Sequence, residues 1–80
     1  MSDAQIDRLD ALVPDVAKNK STVGYLSTGE KLYVYLAANR IDLLETEGYT
    51  IAEALVRIGD SWVIELLSRW RYAGNPKNFG

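Results

Sequence analysis

The sequence predicts an all-α fold, a compact bundle of four to five short helices in a single domain over residues 1–80. Three observations support this prediction. Apolar residues recur at helical spacing in most segments, capping-box pairs stand where helices would begin, and Gly residues stand where they would end. With 48% hydrophobic and 25% charged residues, the composition is typical of a folded globular protein with a small core.

The first predicted helix extends from Ser2 to Val13. Ser2 and Gln5 form a capping-box pair, and the apolar residues that follow share one helical face. Pro14 disfavours helical backbone at Val13, so we expect the helix to end there. Residues 15–22 are polar and are predicted to form a loop or a last loose turn.

Residues 22–36 are compatible with two structures. Their aromatic and β-branched residues suit a β-hairpin, which would make the fold α+β. However, Ser27 and Glu30 form a second capping-box pair, and the apolar run after them continues to Asn39, a residue common at helix ends. We therefore favour a helix over residues 29–38.

Two aromatic residues of this helix, Tyr33 and Tyr35, are two positions apart. In a helix their side chains point about 200° apart, so we expect one of them to face solvent.

Three further helices are predicted in the C-terminal half. The first covers residues 41–46 and ends before Gly48. The second, residues 51–58, opens with a third capping-box pair and ends at Gly59. The third is capped by Asp60 or Ser61 and runs to about Tyr72, and residues 75–80 are predicted to form a frayed tail.

The last two helices are predicted to be the centre of the bundle, as a helix-turn-helix-like pair. The apolar face expected on the first of them is Ile51, Ala54, Leu55 and Ile58. The stripe expected on the second is Trp62, Val63, Leu66, Leu67 and Trp70. The two indole N–H groups need hydrogen-bond acceptors, which places the Trp residues at the edge of the core.

Residue types exclude several kinds of chemistry. The chain has no Cys and no His, so disulfides, thiolate or imidazole metal sites and catalysis by Cys or His are excluded. Paired carboxylates such as Asp7 and Asp10 fall on faces predicted to be solvated. We expect no enzyme activity, cofactor or metal. The chain lacks a signal-peptide pattern and a long apolar run, so we expect a cytoplasmic protein without membrane contact.

One stretch is similar to a known DNA-binding pattern. Thr50, Ile51, Glu53, Ile58, Gly59 and Ser61 resemble the Thr-Ile-x-Glu…Leu-Gly-x-Ser opening of the helix-turn-helix in MerR-type regulators. This resemblance implies that the second helix would enter the major groove of DNA. Asp60 and Glu65 differ from the pattern, and the net charge of −2 provides no basic field. A nucleic-acid-binding regulator is therefore the alternative function.

The function that the sequence favours is a small non-catalytic protein-interaction module, which binds a protein partner or self-associates. Ile64 lies off the apolar stripe and is expected to be exposed. Arg69, Arg71 and Tyr72 belong to the densest basic and aromatic cluster, although Arg69 is expected to pair with Glu65 at i, i+4. The candidate binding residues are Arg57, Ile64, Arg69, Arg71 and Tyr72.

Overall fold

The computed structural model describes residues 3–18 and 23–70, which form five helices and no strand. The helices are α1 (Asp3–Ala17), α2 (Thr28–Ala37), α3 (Ile41–Thr46), α4 (Ile51–Ile58) and α5 (Asp60–Trp70). The predicted all-α fold is confirmed. The hairpin alternative is wrong over residues 23–36, which form a turn followed by α2. The tail predicted at residues 75–80 lies outside the described residues.

The centre of the bundle is α2, which packs against each of the other four helices. From Leu32 to Ala37 its side chains are buried, except for the partly buried Leu36, and both Tyr33 and Tyr35 lie in the core. The expectation that one of these tyrosines faces solvent is wrong, because the other four helices pack against more than one side of α2 and cover both rings. For the same reason α4 and α5 are not the centre; they cover part of α2.

The first helix continues one turn beyond its predicted end. Pro14 lies inside α1 with its ring exposed, and the residues up to Ala17 are helical rather than loop. Two contacts offset the cost of the proline. Val16 is buried in the core, and the Arg40 guanidinium donates through Nη1 to the carbonyls of Val16 (3.2 Å) and Ala17 (3.3 Å). A cation at this end also interacts favourably with the helix dipole.

The capping boxes predicted at the starts of α2 and α4 are confirmed. At α2 the Ser27 hydroxyl accepts from the Glu30 backbone N–H, and the Glu30 carboxylate accepts from the Ser27 backbone N–H. Thr50 and Glu53 make the same reciprocal pair at α4. Both boxes satisfy backbone donors that the helix itself leaves unpaired. Of the pair predicted for α1, Ser2 lies outside the described residues.

Residues with positive φ end three helices. They are Asn39 after α2 (φ 57°), Gly48 after α3 (φ 87°) and Gly59 after α4 (φ 89°). All three were predicted from the sequence, because Gly and Asn tolerate this backbone region best. The resulting sharp corners let five short helices fold back on one another.

The last helix differs from its prediction in two respects. It begins at Asp60, directly after Gly59, so neither Asp60 nor Ser61 is its cap. Its apolar stripe is only partly covered: Leu66 is buried, while Leu67 remains 54% exposed. The Trp62 ring is half-buried and meets Tyr33 edge to face, with ring centroids 5.6 Å apart.

Candidate interaction surface

Large apolar side chains that remain exposed are concentrated on α4 and α5. Among the described residues five are exposed, and four of these lie on the two helices: Ile51 (48%), Val56 (82%), Ile64 (66%) and Leu67 (54%). The fifth, Tyr25, lies in the turn before α2. We refer to Ile51, Val56, Ile64 and Leu67 as the exposed apolar set.

The periodicity of α4 explains part of this set. The face predicted to be buried does turn inward at three positions, since Ala54 is buried and Leu55 and Ile58 are partly buried against the core. Ile51, at the first turn, is an exception and is about half exposed. Val56 lies about 200° around the helix from Ala54, so it faces solvent. Val56 was not predicted to be exposed, although this angular offset could have revealed it.

An open groove of about 390 Å³ runs along the outer side of α4. Its lining residues are Tyr49, Ala52, Glu53, Val56 and Arg57, which recur at the spacing of one helix face. We refer to these five residues as the α4 groove. It combines an apolar floor with one acidic and one basic side chain.

The two charged side chains of the α4 groove are not paired with each other. The Glu53 carboxylate accepts from the Thr50 backbone N–H at 3.2 Å, which belongs to the capping box. Arg57 makes no ion pair or side-chain hydrogen bond with any residue of 3–18 or 23–70. Its guanidinium, on an exposed residue, is a cation that a partner could meet.

The other predicted binding residues are placed differently. Ile64 is exposed, as expected. Arg69 does not lie beside Arg57; its guanidinium contacts α1 instead. Arg71 and Tyr72 lie outside the described residues.

The carboxylate of Asp10 joins three helices, α1, α2 and α5. Its Oδ1 accepts from the Tyr33 hydroxyl and from the Trp70 indole N–H, both at 2.7 Å, and its Oδ2 accepts from Arg69 at 2.8 Å. The side chain is 18% exposed, so the prediction of a solvated carboxylate is wrong for Asp10. It holds for Asp7, which is 66% exposed.

Arg69 completes this polar cluster. It donates through Nη1 to Asp7 (2.7 Å) and Asp10 (2.8 Å), and through Nε to Glu65 (2.8 Å), so the predicted pair with Glu65 is confirmed. These hydrogen bonds raise the pKa of Arg69. Burial, and then the bond to Asp10, raise the pKa of Tyr33. The cluster consists of mutually satisfied groups and has the features of a structural link between helices.

Within residues 3–18 and 23–70, no group of three or more acidic side chains could hold a metal ion. In the same part of the chain, every helix is too short or too polar to cross a membrane.

Comparison with protein-family models, with curated proteins and with solved structures found no match to this chain.

Proposed function

We propose that this chain is a small non-catalytic protein-interaction module that binds through α4 and α5. One observation carries the proposal. Four of the five large apolar side chains exposed among the described residues lie on these two helices, whereas α1, α2 and α3 expose none.

The energetic basis is the burial of these side chains on binding. Covering an exposed aliphatic side chain contributes about 1.5–3 kcal/mol, and the partly exposed members of the set contribute in proportion. The backbone that carries them is held in place by the capping box of α4 and by the corner at Gly59. A preorganised surface loses less conformational entropy on binding than a loop does.

DNA binding is the alternative function, because α4, Gly59 and α5 are arranged in sequence as a helix-turn-helix would be. The charges of the two helices argue against it. Arg69 is paired with three carboxylates, and Asp60 stands in the first turn of α5. Among the described residues of α4 and α5, Arg57 is the other basic residue, and one cation is few for phosphate contact. A protein partner is therefore the better supported proposal.

Site-directed photo-crosslinking in living cells tests the proposal. A photo-reactive amino acid replaces Val56 or Ile64, and the matched control replaces Ala11, which is exposed on α1. We expect discrete crosslinked products from positions 56 and 64 but not from position 11. An excess of unlabelled protein should compete for these products, and its Ile64→Asp variant should compete less well. Equal, diffuse labelling from all three positions would refute the proposal.

An amide NMR titration with a mixed-sequence DNA duplex at low salt separates the alternative. Shifts concentrated on α5 and reversed by added salt would favour DNA binding, because phosphate contacts weaken steeply with salt. A protein contact through apolar side chains predicts no response to the duplex.

A further inference from the structure

The α4 groove has a charge pattern that complements itself. Glu53 and Arg57 stand one turn apart along one side of the helix, and Ala52 and Val56 stand one turn apart beside them. A twofold rotation perpendicular to the helix axis exchanges the acidic and the basic positions. Such a pattern is what a twofold-symmetric contact requires, because each residue must then meet its complement on an identical surface.

We infer that the partner of the α4 groove is the α4 groove of a second copy of this chain, packed antiparallel across a twofold axis. This inference rests on the proposed function and names the partner for one part of the surface. The twofold axis is placed level with the midpoint between Ala54 and Leu55, and each residue adds about 1.5 Å along the helix axis. Measured along the helix axis, Glu53 then lies within about 1.5 Å of the level of Arg57 of the second copy.

The same alignment brings the apolar residues together. Ala52 falls within about 1.5 Å of the level of Val56 of the second copy, so a small side chain faces a larger one. Both the charged pair and the apolar pair occur twice, once on each side of the axis. In antiparallel helix pairs, residues on the same flank of each helix meet, which matches the common flank of Glu53 and Arg57.

The state of the two charges in the single chain supports this arrangement. Arg57 has no carboxylate partner among residues 3–18 and 23–70, although Glu53 stands four residues before it on the same helix. The groove carries one charge of each sign, so a second copy supplies two ion pairs without leaving a net charge at the contact. A partner helix of one sign would leave either Glu53 or Arg57 facing a like charge.

The contact is small, since α4 has only eight residues. Interfaces of this size are weak, and we expect a dissociation constant of roughly 10 μM to 1 mM. Sedimentation equilibrium of the full chain, over concentrations from ~10 μM to ~1 mM, is the appropriate measurement.

The test uses charge reversal. Glu53→Arg and Arg57→Glu each place like charges opposite one another in a symmetric dimer, so we expect each variant alone to associate at least about tenfold more weakly than wild type. An equimolar mixture of the two variants pairs Arg with Glu at both contacts, so association should return. A Glu45→Arg variant, which reverses an exposed charge on α3, is the matched control and should associate like wild type.

Glu53→Arg also removes the acceptor for the Thr50 backbone N–H, so a second variant at this position is needed to separate the effect of the charge from that of the lost cap. Glu53→Gln keeps an acceptor there and removes only the charge. Its association should fall between that of wild type and Glu53→Arg, with an unchanged circular dichroism spectrum.

Two results would overturn the inference: wild-type protein that stays monomeric over the whole concentration range, or single variants whose mixture does not recover association. The photo-crosslinks separate this failure from that of the proposed function. Crosslinks from Val56 to a different protein, with a monomeric purified chain, would refute the second copy and leave the interaction module standing. Absence of specific crosslinks from both Val56 and Ile64 would refute the interaction module as well.

Discussion

Replacing Asp10 by Ala should destabilise this protein more than any other exchange of an acidic residue in α1. The carboxylate accepts hydrogen bonds from Tyr33, Trp70 and Arg69, which come from two other helices. Removing it leaves the hydroxyl of Tyr33, a fully buried residue, and the indole N–H of half-buried Trp70 without this acceptor. Arg69 keeps Asp7 and Glu65.

The magnitude follows from the two donors. A buried donor left unsatisfied costs about 1–3 kcal/mol, and Trp70 falls at the lower end because it is only partly buried. The gain in helix propensity from Asp to Ala offsets up to about 0.7 kcal/mol. We therefore expect Asp10→Ala to lower the free energy of unfolding by about 2–3 kcal/mol, a large share of the stability of so small a domain.

Urea denaturation followed by circular dichroism at 222 nm measures this change, with Asp7→Ala as the matched control. Asp7 is on the same helix and undergoes the same change in propensity, but it is 66% exposed, so its loss should cost less than about 0.5 kcal/mol. A Tyr33→Phe exchange in the Asp10→Ala background should cost little, because Phe leaves no hydroxyl to satisfy. Equal midpoints for Asp10→Ala and Asp7→Ala would show that the hydrogen bonds of Asp10 do not hold the helices together.

Three further predictions concern the backbone and one carboxylate. Gly48→Ala should lower the free energy of unfolding, measured by thermal unfolding, by about 1 kcal/mol, because a residue with a Cβ is strained at a φ of 87°. The strain comes from the backbone alone, since nothing lies within 4 Å of the added Cβ. Gly29→Ala has equal space but lies inside α2, so it should be neutral or stabilising. Pro14→Ala should raise the melting temperature, because it restores a helical N–H and adds about 1–3 kcal/mol to the free energy of unfolding. An unchanged or lower melting temperature would contradict our inference that Pro14 carries a cost which other contacts of α1 offset. The Ser27 backbone N–H lowers the pKa of Glu30 below its ordinary 4.5, so the unfolded chain binds the proton more readily and this stabilisation is lost as pH falls below about 4.5. Glu30→Gln should therefore flatten the loss of stability between about pH 5 and 3 in urea titrations, and an unchanged slope would contradict this cause.

Local signals in the sequence were sufficient for the boundaries of α3 and α4. The bounds of α3 and α4 are those predicted, because each start and stop depends on residues within one turn of it. Pro14 was misleading for a physical reason. Its local preference is real, but the side chain that caps the last turn of α1 is Arg40, which is more than twenty residues away.

The candidate site was only partly accessible from the sequence. Exposure of Ile64 and the pairing of Arg69 with Glu65 were predicted from helical spacing alone. Arg69 also contacts α1, and the α4 groove gathers residues that the sequence analysis did not group, such as Val56 and Arg57. No signal in the sequence could have linked Asp10 to donors 23 and 60 residues away.

The sequence by itself determined that this chain is helical and where its capped helices begin. It also determined which Gly and Asn residues form the corners between helices. These features depend on interactions between residues that are close in the sequence. Only the tertiary structure decided which helix is central. Periodicity identifies an apolar face but not what covers it, and α2 is enclosed because four other helices surround it. That arrangement buried both tyrosines of α2 and most of the Asp10 side chain, and it left four large apolar side chains of α4 and α5 exposed.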